Sequence, residues 1–565
     1  MKTLPRSVGA WRYLCVLLPS LLSACADSSS PSGDAGSPPG PQDDAGTPDA
    51  GPPPWDGTST PLEDLGDLVE AGRHDACQFV NPESLDPLLC ESLTAFDLSS
   101  CSADELSGVE GQGIFQVNLR GEMRVRPNRP TATTTSRSAV SFRLRADGTP
   151  DELNGQPLIA RVTEGGAFFV AGRRTNSTPL GDITTTTALA GCHVPAPGVI
   201  TGCYVSCSSD ARIGKTLGTF VAHRMTWAAG EGESSGGLSF VSEAATPLGL
   251  PVDLFVAKEH AYVVSLNDSP RVGGLSVFDV TNRRNPILKK TVSLPADTGW
   301  NGVWAKDDAL YIASDGSGLV IFDISDPANP AFVRRAEGLY TVHTVLVDGD
   351  RLYANSPGTG TYVYDVSKPL EPTLLQIVTP TPGGFSGGPH DVFAYQGRLY
   401  VSNAESGYSI MDLTDLNDVR HLGDYLRPDM LSGYAHHSAV GTFGGRTIAF
   451  EGGEFHGSHV RVLDVTDPAN ITLIGTHRMR STVSMHNLLL RGHLLYVAWY
   501  HEGLRVLDVS NPTQPKQVAH FNTFRETDPG REHSVFEGAF GVRIPGDGYV
   551  YLVDSARGLI IVNEL

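Results

Sequence analysis

The alternation of apolar and polar residues in the C-terminal half of the chain repeats one short phrase, Gly-Leu-x-Val-Phe-Asp, with small variations. Clear copies are Gly274–Asp279 and Gly318–Asp323, and further copies end at Asp365, Asp412, Asp464, Asp508 and Asn563. The seven copies end 42 to 55 residues apart. A regular internal period of this length is typical of solenoids and propellers.

Each copy is one of four short apolar runs within its repeat. A run that usually contains Leu-Tyr precedes the phrase, as at residues 351–354, and another run lies before it, as at 345–347. A fourth run, such as 289–293, follows a turn rich in Asp, Asn and Pro. Four short strands without helical periodicity form one blade, so the chain is predicted to be all-β with a seven-bladed β-propeller over residues 238–565.

The ends of the repeat region predict how the ring closes. The chain stops just after the third strand of the seventh copy, which leaves that blade one strand short. Residues 237–243, just before the first copy, read as a strand without a blade. We expect this strand to complete the seventh blade and to lock the first and last repeats together.

The phrase Leu319-Val-Ile-Phe-Asp323 resembles the LVIVD-repeat propellers of bacterial surface and exported proteins. Residues 484–508 look similar to the choice-of-anchor B branch of that family. The resemblance covers roughly residues 238–565 and implies the fold. It implies no activity, because the family has no common catalytic motif to carry over. The repeated Asp is predicted to cap the turn that follows its strand.

A second, smaller β-rich domain is predicted before the propeller, over residues 77–235. Phe142 and Leu144 alternate with Arg143 and Arg145, as in a half-solvated antiparallel strand, so we expect a small β-sandwich or barrel. The domain holds six cysteines, an even number that predicts three disulfides in an oxidising compartment with fifteen open connectivities. The candidates are Cys77, Cys90, Cys101, Cys192, Cys203 and Cys207.

The N-terminus has the features of an export signal. A basic start and the apolar run 13–22 end in Leu22-Ser-Ala-Cys25, which resembles the bacterial lipobox. Residues 1–25 are therefore predicted to be a lipoprotein signal, with lipidation at Cys25. Residues 26–61 hold little that could be buried and predict a disordered tether. Ala26 after the cysteine favours the outer membrane or cell surface over retention at the inner membrane.

Charge narrows the range of partners. The formal net charge is −21 and no Lys/Arg cluster stands out, which argues against nucleic-acid binding. The same charge repels anionic headgroups and keeps an exported chain soluble. The lipid is thus the membrane attachment that the sequence predicts.

One constellation of residues carries candidate chemistry. His343, His390 and His486 stand ten residues before the Tyr of their Leu-Tyr runs, and His437 has the same spacing from Thr447. Asn301 takes this place in the second copy. Innermost strands line a propeller's channel, so these imidazoles should converge at one end and could bind a transition metal. Further candidates in the fifth copy are His436, Glu451, Glu454, His456 and His459.

Two functions from different classes remain open. The first is an envelope-anchored or surface-anchored binding module that holds a protein, a glycan or a small ligand. The second is a metal-dependent envelope enzyme, an oxidoreductase or hydrolase, that uses the channel histidines. The lack of a nucleophile motif favours the first. In the competing structural interpretation, the histidines only bond neighbouring blades together.

Overall fold

The computed structural model describes residues 55–69, 71–146, 150–178, 181–294, 296–297, 299–336, 338–380, 387–428 and 433–565. The predicted signal, the lipidation site Cys25 and residues 26–54 of the predicted tether lie outside the described residues. None of the described helices is long and apolar enough to cross a membrane.

The front of the chain is a short lead-in followed by a closed eight-stranded barrel. The lead-in contains strands β1 (Gln78–Phe79) and β2 (Phe96–Asp97), helix α1 (Ala103–Leu106), and the 3-10 turns Pro87–Glu91 and Leu93–Ala95. The barrel strands are β3 (Gly113–Arg126), β4 (Arg129–Leu144), β5 (Glu152–Leu153), β6 (Gln156–Val162), β7 (Phe169–Thr178), β8 (Gly181–Ala196), β9 (Val199–Ser208) and β10 (Lys215–Arg224).

The barrel is closed by pairing of β10 with β3, and apolar side chains fill its interior. Phe115 and Phe142 stack there with ring centroids 4.7 Å apart. Three disulfides fasten the lead-in to the barrel: Cys77–Cys203, Cys90–Cys207 and Cys101–Cys192. The prediction of three bridges is confirmed. Each bridge joins one cysteine of the lead-in to one on β8 or β9.

Two short strands connect the barrel to the propeller, β11 (Ser234–Ser235) and β12 (Phe240–Ala244). The predicted front domain ran to residue 235, but Ser234 and Ser235 pair with the outer strand of a blade and so belong to the propeller wall. The correction has a simple cause, because an exposed strand edge pairs with whichever extended segment passes it.

The propeller has seven blades, as predicted. Blade 1 is β13 (Leu250–Ala257), β14 (His260–Leu266), β15 (Gly274–Asp279) and β16 (Ile287–Val292). Blade 2 is β17 (Trp300–Lys306), β18 (Ala309–Ser314), β19 (Gly318–Asp323) and β20 (Ala331–Arg335). Blade 3 is β21 (Thr344–Asp348), β22 (Arg351–Ser356), β23 (Gly360–Asp365) and β24 (Thr373–Val378). Blade 4 is β25 (Asp391–Tyr395), β26 (Arg398–Ser402), β27 (Tyr408–Asp412) and β28 (Arg420–Tyr425).

The remaining blades follow the same order, from the channel outwards. Blade 5 is β29 (His437–Phe443), β30 (Arg446–Gly452), β31 (Val460–Asp464) and β32 (Thr472–His477), preceded in its last turn by the 3-10 helix Pro468–Asn470. Blade 6 is β33 (Leu488–Arg491), β34 (Leu494–Trp499), β35 (Gly503–Asp508) and β36 (Lys516–Phe521). Blade 7 is β37 (Ala539–Arg543), β38 (Tyr549–Asp554) and β39 (Gly558–Asn563), with β12 as its outer strand.

The repeated phrase is the third strand of each blade, and its apolar side chains are buried between neighbouring sheets. Its terminal Asp caps the next turn, as predicted. In blade 2, Asp323 Oδ1 accepts from the Ser325 amide at 2.7 Å, and in blade 3 Asp365 Oδ1 accepts from Ser367 at 2.8 Å. The repeated Asp is therefore a structural residue.

Ring closure uses the predicted strand. β12 pairs antiparallel with β39, with Glu243 opposite Ile560 and Ala244 opposite Leu559. The second strand after the barrel thus completes the seventh blade, and the prediction is confirmed. Arg557 of blade 7 holds Glu243 by a charged hydrogen bond of 2.7 Å.

The barrel sits on the end of the propeller where the innermost strands begin. Trp227 Nε1 donates to Phe524 O at 2.8 Å and Gln116 Nε2 donates to His533 O at 2.8 Å. Arg224 pairs with Glu526 at 2.6 Å. Phe524, Glu526 and His533 belong to the segment that enters the innermost strand of blade 7, so the barrel and the strand starts share one face.

Residues 55–69 form a strap along the propeller, although the tether was predicted to reach residue 61. Gly57 is buried beside the Gly444 turn of blade 5, and the Leu62 amide donates to Leu473 O on the outer strand of that blade at 2.8 Å. Further on, buried Asp67 pairs with Arg461 at 2.9 Å and with Arg427 at 3.2 Å. The correction follows from these partners, which composition does not reveal.

Loss of the Arg461 side chain should release the strap. Arg461 is fully buried, and its removal leaves Asp64 and Asp67 without their main counter-charge. We expect Arg461→Ala to lower the free energy of unfolding by about 3–5 kcal/mol, measured by urea denaturation. The matched control Arg446→Ala removes a half-exposed partner of Asp464 and should cost less than about 1 kcal/mol.

Low pH should weaken the same contact between the strap and Arg461. Burial alone would raise the pKa of Asp64, but the hydrogen bond and charge of Arg461 outweigh it and lower the pKa to about 2. A carboxyl with a depressed folded pKa stabilises fully above its unfolded pKa and loses that contribution as the pH falls through the folded value. Proteolysis of residues 55–69 should therefore increase between about pH 4 and pH 2. Unchanged cleavage across this range would contradict the assignment.

Candidate metal centre in the propeller channel

Side chains at the inner edge of the propeller link every blade to the next. From blade 1 to blade 4 the links are the Val303 amide to Asp253 Oδ2, Asn301 Nδ2 to His343 Nδ1, and Thr344 Oγ1 to His390 O, each written from donor to acceptor. From blade 4 to blade 7 they are His390 Nδ1 to His436 O, the Leu488 amide to His437 Nδ1, and His486 Nδ1 to Phe540 O. The seventh link is the ion pair of Arg543 with Asp253. All are 2.8–3.2 Å long. The last link joins blade 7 to blade 1.

Four of these positions place imidazoles in a row across the channel. The ring centroids lie 4.4 Å apart for His343 and His390, 4.3 Å for His390 and His436, and 4.5 Å for His436 and His486. All four side chains are fully buried. Each backbone amide donates to the second strand of its own blade, so the four residues occupy equivalent places.

The fifth blade contributes His436 to this row, whereas the ten-residue spacing predicted His437. The reason is hairpin length. β29 and β30 have seven residues each, whereas β25 and β26 have five each, so a fixed count of ten residues back through the longer hairpin stops short of the equivalent position. His437 instead links blades 5 and 6 through the Leu488 amide, with its Nε2 3.6 Å from Asp391 Oδ2.

The hydrogen bonds of the row define its proton positions. An amide NH2 can only donate, so Asn301 Nδ2 makes His343 Nδ1 an acceptor, and the proton of a neutral His343 lies on Nε2. His343 Nε2 then donates to His390 Nε2 at 2.9 Å. His390 Nδ1 donates onward to His436 O at 3.2 Å. A flip of the Asn301 amide would reverse the first step and leave a lone pair on His343 Nε2.

Glu454 brings a carboxylate to the same place. It is 3% exposed, and its two oxygens lie 3.7 Å from His436 Nε2 and from His486 Nε2. Tyr500 donates to Glu454 Oε1 at 3.0 Å. One ligand atom each from His390, His436 and Glu454 lie within 4.8 Å of one another, a spread that a single ion can bridge.

His436 is the least satisfied member of the group. Within the described part of the chain, neither of its ring nitrogens has a hydrogen-bond partner. Burial, followed by the charges of the neighbouring imidazoles, holds the pKa of His436 well below its usual value. The ring is therefore neutral at pH 7 and offers a lone pair, which is the form that binds metal.

The other residues predicted from the fifth copy lie elsewhere. Glu451 is hydrogen-bonded to Arg427, and burial raises its pKa. His456 Nδ1 donates to Thr482 O at 2.9 Å, and His459 lies 3.2 Å from Asp67. These three residues fasten loops and the strap. Tyr500 was not predicted, because no sequence spacing connects it to the histidines of the other blades.

Two further groups of potential ligands have structural explanations. Asp75 lies beside Cys77 and Cys192, but both cysteines are in disulfides and provide no thiolate. His533 meets Glu152 and Glu532 at the barrel contact. His533 Nε2 accepts from the Gly155 amide at 2.8 Å, so a neutral ring carries its proton on Nδ1, which faces Glu152 at 3.6 Å.

Comparisons with known proteins identify the repeat. The LVIVD repeat model matches residues 301–337 and 484–523, segments that begin at or just before Asn301 and His486. No curated protein matches the chain. A computationally designed protein, Ika8, is 10% identical, with a TM-score of 0.41, over 57% of this chain and 99% of its own. The WD40 β-propeller domain of Doa1 is also 10% identical, with a TM-score of 0.42, over 58% of this chain and 98% of its own. The chain contains LVIVD repeats, and its propeller fold is typical of interaction modules.

The link that closes the ring should matter most for stability. Asp253 is fully buried and bonds both Val303 of blade 2 and Arg543 of blade 7. We expect Asp253→Ala to cost about 3–5 kcal/mol in the free energy of unfolding, because it removes the counter-charge of the buried Arg543 guanidinium. Glu259→Ala removes an exposed carboxylate 3.7 Å from Arg283 and should cost less than about 1 kcal/mol. Equal effects of the two changes in urea denaturation would contradict this role.

Proposed function

We propose that this protein is an envelope-anchored binding module that holds a transition-metal ion at the barrel-facing end of its propeller channel. The observation that carries the proposal is the convergence of His390, His436 and Glu454 in a buried site where neither ring nitrogen of His436 has a hydrogen-bond partner among the described residues.

The energetic argument concerns the two nitrogens of His436. A buried polar atom without a partner costs about 1–3 kcal/mol, and both ring nitrogens of His436 lack one among the described residues. An ion bound to one ring nitrogen of His436 would satisfy that nitrogen and would also balance the charge of Glu454. The alternative occupant is an ordered water, which would satisfy one nitrogen without selecting a metal.

The donor set defines the class of ion. Two imidazoles and one carboxylate suit zinc, iron, copper or manganese and do not suit calcium, which prefers oxygen ligands. His486 Nε2 lies 3.7 Å from Glu454 and could add a fourth ligand. His343 Nε2 lies 2.9 Å from His390 Nε2, and the flip of the Asn301 amide frees the lone pairs of both nitrogens for an ion. Nδ1 of His390 and Nδ1 of His486 donate to backbone carbonyls, and hydrogen bonds of this kind orient imidazoles that bind a metal.

A metal-dependent oxidoreductase or hydrolase is the second candidate. It is favoured by the same donor set, since two histidines and one carboxylate leave coordination positions for water or substrate. The binding role is the primary proposal, because the ligand atoms are buried and the fold is typical of interaction modules.

Metal analysis of purified protein tests the site. After incubation with each metal separately and removal of the excess, we expect about one ion per chain for at least one of zinc, iron, copper or manganese. His436→Gln and Glu454→Gln should each lower the bound metal at least tenfold, because each removes one ligand. His456→Gln is the matched control, since His456 is partly buried but bonds only Thr482 in the described chain.

Two outcomes would overturn the metal proposal. One is a wild-type protein that retains no ion under any of these conditions. The other is binding that the His436 and Glu454 variants retain. Unfolding curves of all three variants show whether a loss of metal reflects the site or the fold. Turnover of a redox or ester substrate that needs the bound ion would favour the enzyme.

Anchoring is proposed from the lipobox-like Leu22-Ser-Ala-Cys25. In cells fed a labelled fatty acid, we expect label in the membrane fraction for the wild type and for Cys15→Ser. Cys25→Ser should carry no label, because the acylated thiol is gone. Label retained by Cys25→Ser would contradict the assignment of the anchor and would leave the metal site untouched.

A further inference from the structure

The outer strands of blades 1, 2 and 3 form an exposed apolar arc on the propeller wall. The arc consists of β16, β20 and β24, and its exposed apolar side chains are Ile287, Leu288, Phe332, Val333, Leu374, Leu375 and Ile377. They are 36–50% exposed, which is unusual for neighbouring large apolar residues. In β20, the central strand, all five residues are exposed.

The outer strands of the other four blades are covered by another segment, paired with another strand, or contain an acidic residue. The chain covers β32 with the strap and pairs β36 with β11. In blade 7 the outer strand β12 contains Glu243, which pairs with Arg557. In blade 4 the outer strand carries Arg420, His421 and Asp424, charges of both signs. Among the described residues, the outer strands that combine two or more exposed large apolar side chains with no acid are those of blades 1–3.

Charge on the arc is opposite to that of the whole protein. β16 and β20 carry Lys289, Lys290, Arg334 and Arg335, and the three strands contain no Asp or Glu. The whole chain has a net charge of −21. Arg335 lies 3.5 Å from Asp297 and Lys289 lies 3.9 Å from Asp279, whereas Arg334 has no ion pair among the described residues.

We propose that this arc docks on the anionic phospholipid surface of the membrane that carries the lipid anchor, an inference that rests on the proposed anchoring. Apolar side chains flanked by Lys and Arg are the pattern of interfacial membrane binding, where the apolar groups enter the headgroup region and the cations meet phosphates. The net charge repels anionic lipid at a distance, but screening limits that repulsion to about 10 Å, so the local cations decide the contact.

Two geometric facts fit a membrane better than a protein partner. The arc lies on the convex rim of the ring, where a flat surface touches the middle strand first, and β20 is the most exposed of the three strands. The 29 residues 26–54 between Cys25 and the strap span up to about 100 Å when extended, so the tether allows the rim to reach the bilayer.

Vesicle binding of the mature chain without its lipid, residues 26–565, tests the surface apart from the anchor. We expect this chain to sediment with vesicles of equimolar phosphatidylcholine and phosphatidylglycerol and to stay in solution with phosphatidylcholine alone. Raising the salt concentration should weaken the binding, because screening reduces the attraction between the cations and phosphate.

Variants of β20 locate the contact. The double change Phe332→Ser and Arg334→Glu should weaken binding to the anionic vesicles at least tenfold, and single changes in β16 or β24 should weaken it less. Lys516→Glu on the outer strand of blade 6 and Leu426→Ser beside blade 4 are matched controls that should bind like the wild type. Arg334→Lys should also bind like the wild type, since it keeps the charge.

The proposal fails if the wild type ignores anionic vesicles, or if the β20 double variant binds them as well as the wild type and controls do. Self-association through the arc would also overturn it. In that case, sedimentation velocity would show a dimer that the β20 double variant lacks, and vesicles would not compete with it. Neither result bears on fatty-acid labelling of Cys25 or on the metal content, so failure here stays distinct from failure of the proposed function.

Discussion

The structure depends on the hydrogen bonds that join neighbouring blades at the inner edge of the ring. Blades stacked around the axis cover each other's faces. The innermost strand of each blade, however, pairs with a strand on one side only, and the polar groups along its channel edge need other partners. Seven side-chain links meet this need, and the pair of Arg543 with Asp253 closes the circle. The histidines are placed by this structural task. His390 and His486 each use one ring nitrogen to bond the next blade and keep the second, whereas His436 keeps both, and the three rings gather around Glu454. The structural and the metal-binding interpretations of the row are therefore compatible.

Side chains of the repeat also hold the segments of the chain that lie outside the repeat. Arg461 and Arg505 occupy the variable position of the repeated phrase in blades 5 and 6, and both are fully buried. Arg461 holds Asp64 and Asp67 of the strap, and Arg505 holds Glu231 before β11. One repeat position thus fastens two segments that do not belong to the repeat. Among the described residues no segment covers blades 1–3; their outer strands remain exposed, and those of blades 1 and 2 are cationic.

Much of the fold was predictable because it is written in local patterns. Seven copies of one phrase predicted seven blades, a missing strand at the end predicted that residues 237–243 would supply it, and the terminal Asp predicted a capped turn. The histidine row was predicted in three blades of four, where hairpin length is constant. It was wrong in blade 5, because spacing along the chain measures position only when the intervening strands are equally long. His436 and His437 are neighbours in the chain, but successive residues of a strand point to opposite sides, so one residue changes the role entirely.

The sequence by itself determined the periodic properties of this protein: its blades, its turns, its closure and the cysteines of its front domain. Those follow from short-range chemistry that repeats at a fixed spacing. Only the tertiary structure decided the pairing of the six cysteines, the docking of the strap on Arg461, the choice of a barrel over a sandwich, and the meeting of Glu454 with imidazoles from three blades. Each of these joins residues tens or hundreds of positions apart, and which distant groups meet is set by how the blades close into a ring rather than by any pattern along the chain.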